Sequence, residues 1–126
     1  MNEQPTPTPG ELEILKVLWD VGPASVRTVC QHLTKDKDVV YNTVQTMLRL
    51  MEKKGLVSHH VEGRTFIYTP AFSRDDSAAG YLERVFDGAA DQLVQSLLRS
   101  EAISPDELDR LQSMIDDARL RQLRPE

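Results

Sequence analysis

The chain has 126 residues, a net charge of −5 and a single cysteine. One cysteine excludes an intramolecular disulfide and a cysteine-based metal cluster, and no stretch approaches the roughly 18 apolar residues of a membrane span. The start, MNEQPTPTPG, lacks the basic and apolar regions of a secretory signal peptide. We therefore expect a cytoplasmic protein without membrane insertion.

The charge is unevenly distributed along the chain. Residues 27–69 carry seven basic and four acidic side chains, a net charge of +3, whereas residues 73–126 carry seven basic and twelve acidic ones, a net charge of −5. This pattern indicates a mildly basic middle that could meet a polyanion, followed by an acidic part that would not.

Two short helices are predicted in the first third of the chain. Thr8, Pro9 and Glu11 form a capping sequence for the first helix, which Gly22-Pro23 ends. Its buried stripe is predicted to be Leu12, Leu15, Leu18 and Trp19. The second helix is predicted from about Ser25 to Leu33, with an inward face of Val26, Val29, Cys30 and Leu33. Cys30 is thus interpreted as a small buried hydrophobe rather than a reactive thiol.

A third helix, with two unlike faces, is predicted after the polar turn TKDKD, from about Val39 to Lys54, ending at Gly55. Its buried stripe is predicted to be Val44, Met47, Leu48 and Met51. The opposite face carries Asn42, Gln45, Thr46 and Arg49. Asparagine and threonine are poor helix formers, so this face is predicted to contact something; the alternative is a solvated, amide-rich surface.

A β-hairpin is predicted next, because LVSHHV and RTFIYT are strand-like and Glu62-Gly63 between them suits a two-residue turn. His59 and His60 are neighbours on a strand and point to opposite faces, and no third ligand is spaced nearby. We therefore predict structural or solvent-facing histidines, no metal site and no cofactor.

Three further helices are predicted after Pro70, one opened by Ser73 and one by the capping sequence Ser104-Pro105-Asp106-Glu107. Each has an apolar stripe too wide to leave exposed, which indicates a partner chain. The predicted domains are residues 1–72 and residues 73–126.

Three helices followed by a tight hairpin are the layout of a winged helix-turn-helix, in which the third helix enters the DNA major groove. Asn and Gln side chains can pair with adenine, threonine with a base edge or the thymine methyl group, and arginine with guanine. The fold class is thus predicted to be mainly α with a small β-hairpin. The alternative is a winged-helix protein-interaction module that does not bind DNA. An enzyme is not predicted, since no nucleophile–base pairing and no phosphate-binding glycine loop is present.

Several segments also resemble the penicillinase-repressor (BlaI/MecI-type) family of bacterial transcription regulators. They are LEILKVLW, GPASVRTV, YNTVQTMLRLMEKKGLV, GRTFIYTP and DDSAAGYLERVFDGAADQLV, and the resemblance extends from about Thr8 to Ile115. It implies a homodimer with an N-terminal winged helix and a C-terminal helical dimerisation region. Such a repressor would bind an inverted-repeat operator in double-stranded DNA and control β-lactam resistance or another stress response.

The resemblance also assigns roles to individual residues. Base contacts would fall to Tyr41, Asn42, Thr43, Gln45 and Thr46. Phosphate contacts would fall to Lys53, Lys54 and Arg64. The dimer interface would comprise Tyr81, Leu82, Val85, Phe86, Leu93, Val94, Leu97 and Leu98.

The chain departs from the family pattern at two places. The family usually has arginine where Leu50 stands, so the basic group Arg49 is displaced by one residue, about 100° around the helix. Arg49 could read a base, hold a phosphate or lie in solvent, and we favour a phosphate contact. The resemblance also implies a membrane-associated peptidase as regulatory partner, which in founding members cuts an Asn-Phe bond; that bond corresponds to Ser96-Leu97 here.

Overall fold

A computed structural model describes residues 6–33 and 40–123 of the chain. In these ranges the elements are α1 (Pro9–Val21), α2 (Val26–Leu33), α3 (Tyr41–Lys54), β1 (Val57–Glu62), β2 (Thr65–Pro70), α4 (Arg74–Phe86), α5 (Ala90–Arg99) and α6 (Pro105–Leu123). The predicted mainly α fold with one β-hairpin is confirmed. The predicted turn TKDKD and the predicted start of the third helix at Val39 lie outside the described residues.

The helix ends follow the capping residues of the sequence. At α1, the Glu11 amide donates to the Thr8 hydroxyl at 3.2 Å, and the Thr8 amide donates to the Glu11 carboxylate at 2.9 Å. Ser104 and Glu107 form the same reciprocal pair at the start of α6. α3 ends at Gly55, whose φ of 84° lies in the left-handed region that glycine adopts without steric cost.

The core lies between α1, α2, α3 and the hairpin. Val44, Leu48 and Met51 of α3 are fully buried, as predicted, and Met47 is half-buried. In α2, Val26, Val29 and Cys30 are buried. Burial raises the pKa of the Cys30 thiol, which suits the predicted role of a small hydrophobe.

The buried stripe of α1 differs from the prediction. It consists of Glu11, Ile14, Leu15 and Leu18, while Leu12 and Trp19 are only half-buried. The observed stripe follows the helical spacing i, i+3, i+4, i+7, and Leu12 lies about 100° away from it. Trp19 stands at the edge of the core, where its indole N–H donates to the carbonyl of Phe72 at 2.9 Å. An amphipathic tryptophan at an edge satisfies its polar atom and still packs its ring.

The hairpin turn consists of Gly63 and Arg64, one residue later than predicted, because Glu62 pairs with Thr65 across the antiparallel strands. Gly63 adopts a φ of 64°, and two-residue turns favour glycine where φ is positive. At the other end of the hairpin, Ala24 and Tyr68 exchange backbone hydrogen bonds of 3.0 and 2.8 Å. The turn between α1 and α2 is therefore fixed directly to β2.

A buried ion pair joins α1 to the end of α3. The Glu11 carboxylate is almost completely buried and accepts a hydrogen bond of 2.7 Å from the ammonium group of Lys54. Burial alone would raise the pKa of the Glu11 carboxyl, but the hydrogen bonds from Lys54 and Thr8 and the lysine charge outweigh it. The net effect lowers the pKa below its ordinary value of 4.5. Such a carboxylate stabilises the fold above its ordinary pKa, and this stabilisation is lost as the pH falls through the lower folded-state value.

We expect Lys54→Ala to lower the free energy of unfolding by about 1 to 2 kcal/mol at neutral pH, because a buried carboxylate loses its cation. The value is moderate because the Lys54 side chain is half exposed and screened by solvent. Stability should also depend less on pH below about 4.5 than in the wild type. Urea unfolding followed by Trp19 fluorescence measures both effects. The neighbouring Lys53→Ala is the control, and equal losses for both variants would contradict the structural role of the pair.

The chain divides into two compact units, residues 1–81 and 82–126. The predicted domain boundary after residue 72 stays a prediction. No side chain of α4, α5 or α6 is buried. Isolated helices of 10 to 19 residues are marginal in water and need tertiary packing of their apolar face. The apolar side chains of these helices are half-buried or exposed. Whether residues 73–126 act as one functional domain stays a prediction.

Candidate nucleic-acid interface

The polar face of α3 lies on the protein surface. Tyr41, Asn42, Thr43 and Thr46 are exposed and Gln45 is half-buried. Val44, Leu48 and Met51, on the opposite face of α3, pack in the core. The polar face therefore does not take part in packing the helix. The five residues predicted to read bases thus lie together at the surface of the first half of α3.

A groove borders this face, between the start of α2, the outer side of α3 and the hairpin. Its volume is about 600 Å³. The lining residues are Ser25, Val26, Arg27, Tyr41, Gln45, Arg49, Arg64, Thr65, Phe66 and Tyr68. Among the residues that the structure describes, this lining includes three arginines and no aspartate or glutamate, in a chain whose net charge is −5. A concave surface with several guanidinium groups and no carboxylate concentrates a positive potential and favours an anion.

The aromatic wall of the groove is uncharged. Burial raises the pKa of the Tyr68 phenol, and the nearby Glu52 carboxylate raises it further, while Arg49 has a smaller opposing effect. Tyr68 therefore remains a neutral phenol at neutral pH and does not offset the arginines. At the lip of the groove, the Ser25 hydroxyl accepts the backbone N–H of Thr28 at 3.2 Å and thus organises the first turn of α2, which carries Arg27.

The structure gathers some of the predicted phosphate contacts and separates others. Arg49 and Arg64 line the same groove as Tyr41 and Gln45. Lys53 and Lys54 lie at the other end of α3, and the Lys54 ammonium is bound to Glu11. Since that ammonium already has a buried carboxylate as partner, Lys54 is a weaker candidate for a phosphate contact than either arginine.

Sequence reasoning missed Arg27 as a candidate. Arg27 is the second residue of α2 and reaches the groove because α2 packs beside α3. The only signal in the sequence was its membership in the basic stretch of residues 27–69. Leu50, which stands where the family usually has arginine, is half exposed. Arg49, the preceding residue, lines the groove together with Arg27 and Arg64, which supports the phosphate interpretation of Arg49.

The predicted dimer residues lie on α4 and α5. Tyr81, Val85, Val94, Leu97 and Leu98 are exposed, whereas Leu82, Phe86 and Leu93 are half-buried. α6 adds a further exposed apolar set that the predicted interface did not include. It comprises Leu108, Leu111, Met114, Ile115, Leu120 and Leu123. A surface of this kind is typical of a face that another chain covers.

Residues 6–33 and 40–123 offer no candidate for a metal site or a membrane span. No group of three or more His, Cys, Asp or Glu side chains stands where it could hold a metal ion. His59 and His60 lie on opposite faces of β1, paired with Glu52 and Glu62 respectively. No helix within these ranges has the length and apolar character that crossing a membrane requires.

The sequence matches a known protein family. The model of the penicillinase repressor family matches residues 7–117. A penicillinase repressor of Bacillus licheniformis is 31% identical over 93% of this chain and 94% of its own length. The methicillin resistance regulatory protein MecI of Staphylococcus aureus strain N315 is 22% identical over 84% of this chain and 89% of its own length.

The solved structures that resemble this one include two of different kinds. The first is monomeric BlaI of Bacillus licheniformis in complex with the blaP half-operator, with a TM-score of 0.52 and 38% identity, covering 60% of this chain and 93% of that chain. The second, a MarR family protein from Bacillus stearothermophilus, has a TM-score of 0.52 at 16% identity, covers 95% of this chain and 78% of that chain, and supports the fold alone.

Proposed function

The chain belongs to the penicillinase repressor family, and we propose that it is a cytoplasmic, dimeric transcriptional repressor that binds an inverted-repeat operator in double-stranded DNA. The observation that carries the proposal is the groove lined by Arg27, Arg49 and Arg64, directly beside the polar face of α3. The solved complex of the related BlaI with its half-operator supports the same class of ligand.

The two parts of the surface have different tasks in this proposal. The groove arginines hold the phosphate backbone, which fixes the register of the protein on DNA without reading sequence. The amides of Asn42 and Gln45 can then pair with adenine N6 and N7, and the hydroxyls of Thr43 and Thr46 with base edges. Their exposure at the surface of α3 leaves these groups available to the major groove.

The exposed apolar residues of the second unit support dimerisation. A two-fold dimer would cover the apolar faces of α4 and α5 and place two copies of α3 against the two halves of an inverted repeat. The exposed apolar residues of α6 extend the surface that a second copy could cover. No side chain of α4, α5 or α6 is buried in the single chain, and homodimerisation is the simplest way to cover their apolar faces.

Fluorescence anisotropy tests the DNA part of the proposal. The chain is titrated against a duplex from its own upstream intergenic region and against a scrambled duplex, at several salt concentrations. We expect tighter, salt-sensitive binding to the native duplex at two chains per site, because neutralised phosphates release counterions. We also expect Arg27→Gln to reduce the slope of log K against log salt by about 1 for each Arg27–phosphate contact.

Lys16→Gln is the matched control, since it removes one exposed positive charge of the same unit outside the groove. If Arg27→Gln left the slope of log K against log salt unchanged, the groove would not be part of the DNA interface. Equal or absent binding of the wild type to both duplexes would instead favour the protein-interaction module.

Control by a peptidase rests on family resemblance only. The corresponding bond, Ser96-Leu97, lies within α5, and the Leu97 side chain is half exposed. Mass spectrometry of the chain co-expressed with a neighbouring membrane-associated peptidase decides the point. A fragment ending at Ser96 would add proteolytic induction to the proposal, and an intact chain would remove it.

A further inference from the structure

A side-chain pair connects the hairpin to α3. His59, on β1, lies with its Nδ1 atom 2.6 Å from the Glu52 carboxylate on α3. Both side chains are about one-third exposed. The hydrogen bond therefore spans two elements, in surroundings that shield it partly from water and so strengthen it relative to an exposed pair.

Aromatic rings hold the His59 imidazole in place. The ring of Phe66 stacks on it with centroids 4.2 Å apart and an interplanar angle of 13°. The ring of Tyr68, directly opposite on β2, lies at 5.6 Å. Since Tyr68 is fully buried in the core, the imidazole has a rigid support on one side and the Glu52 carboxylate as its polar partner.

The position of this pair along the hairpin matters. At the base of the hairpin, Leu56 and Val57 are buried, whereas Val61, Glu62, Thr65 and Phe66 toward its tip are exposed. A strand of six residues extends about 20 Å, so small changes at the base move the turn by a larger distance. His59 lies midway, where a bond to α3 limits that motion.

We propose that His59 is a positioning residue that, through Glu52, sets the distance between the hairpin and α3. In this way it holds Arg64 of the turn opposite Arg49 of α3 across the groove. The inference rests on the proposed function for its DNA consequence, but its effect on the hairpin itself does not require DNA.

The same strand provides a matched control. His60 is also paired with a carboxylate, Glu62, at 2.9 Å, but it lies on the other face of β1 and is largely exposed. Replacing either histidine by phenylalanine removes one imidazole–carboxylate pair. His59→Phe retains a ring to stack on Phe66 and loses only the hydrogen bond to α3.

The first readout is amide hydrogen exchange of the free protein. We expect faster exchange of residues 61–66 in His59→Phe, by about threefold or more, and unchanged exchange of the core amides of α3. His60→Phe should match the wild type in both segments. A uniform change throughout the winged-helix unit would indicate general destabilisation and would overturn the positioning role.

The second readout is a double-mutant cycle with Arg64→Gln, measured as operator affinity. If His59 positions the turn, Arg64→Gln should cost at least about threefold less affinity in His59→Phe than in the wild type. In His60→Phe the cost should equal the wild-type value. Equal costs in all three backgrounds would overturn the inference.

Failure of the inference and failure of the proposed function are distinguishable. A wild-type protein that does not bind the operator would refute the proposed function, and hydrogen exchange would still decide the role of His59. If His59→Phe does not fold, Glu52→Met serves in its place in both readouts, because it keeps an unbranched side chain of similar length and removes the oxygen atoms that the imidazole contacts.

Discussion

Replacing Asn42 and Gln45 together by alanine should lower operator affinity by about 30-fold or more while leaving affinity for a scrambled duplex almost unchanged. Each bidentate amide–adenine pair contributes about 1 to 3 kcal/mol of discrimination, and both amides stand on the surface of α3. Phosphate contacts dominate non-specific binding, and in the proposed function they come from the groove arginines, which this variant retains. Anisotropy titrations with both duplexes at one salt concentration measure the two effects.

The fold should tolerate this double substitution. Asn42 is exposed, Gln45 is half-buried, and alanine is the better helix former at both positions. Gln95→Ala, on the exposed side of α5, is the control for loss of an amide elsewhere. An equal loss of affinity on both duplexes would mean that the two side chains do not read bases.

Val94→Asp combined with Leu97→Asp should convert the dimer to a monomer and weaken operator binding by about 100-fold or more. Both side chains are about half exposed in the single chain, so the substitution costs little there and acts mainly on the proposed interface. Two aspartates per chain would place four buried, unpaired carboxylates in a two-fold interface and cost it several kcal/mol. A monomer also loses the advantage of engaging two half-sites at once, which amounts to roughly 100- to 10,000-fold.

Sedimentation equilibrium gives the mass, and anisotropy on the full operator and on a half-site gives the affinity. Gln95→Asp, on the same helix between the two positions, is the matched control and should remain dimeric. If the double variant keeps the mass of two chains, the exposed face of α5 is not the dimer interface. If it is monomeric but binds the full operator as before, two-site engagement does not contribute to affinity.

The sequence predicted those features that depend on local chemistry. Thr8 and Glu11, three residues apart, predict a capping box at the start of α1. Gly55 stands just after α3, at the position where a residue in the left-handed conformation commonly ends a helix. The polar face of α3 was also predictable, because Asn42 and Thr46 are unusual choices for an ordinary helix surface. These signals need no knowledge of the tertiary structure.

The rest depended on packing between distant segments. Glu11 satisfies a helix end, but its burial and its pairing with Lys54 become evident only when α1 meets the end of α3. Arg27 joins the groove only because α2 lies beside α3 and the hairpin. The turn was predicted one residue early, since both Glu62-Gly63 and Gly63-Arg64 satisfy the local preference and strand register decides between them.

The lack of buried side chains in α4, α5 and α6 has a consequence for gene dosage. If these helices complete their packing only in the dimer, folding of this region and assembly are one equilibrium, and its position depends on the amount of protein. Well below the dissociation constant, halving the number of chains leaves about a quarter of the dimers. A cell that dilutes this protein by growth, or degrades part of it, would therefore release its operator more sharply than a monomeric repressor would.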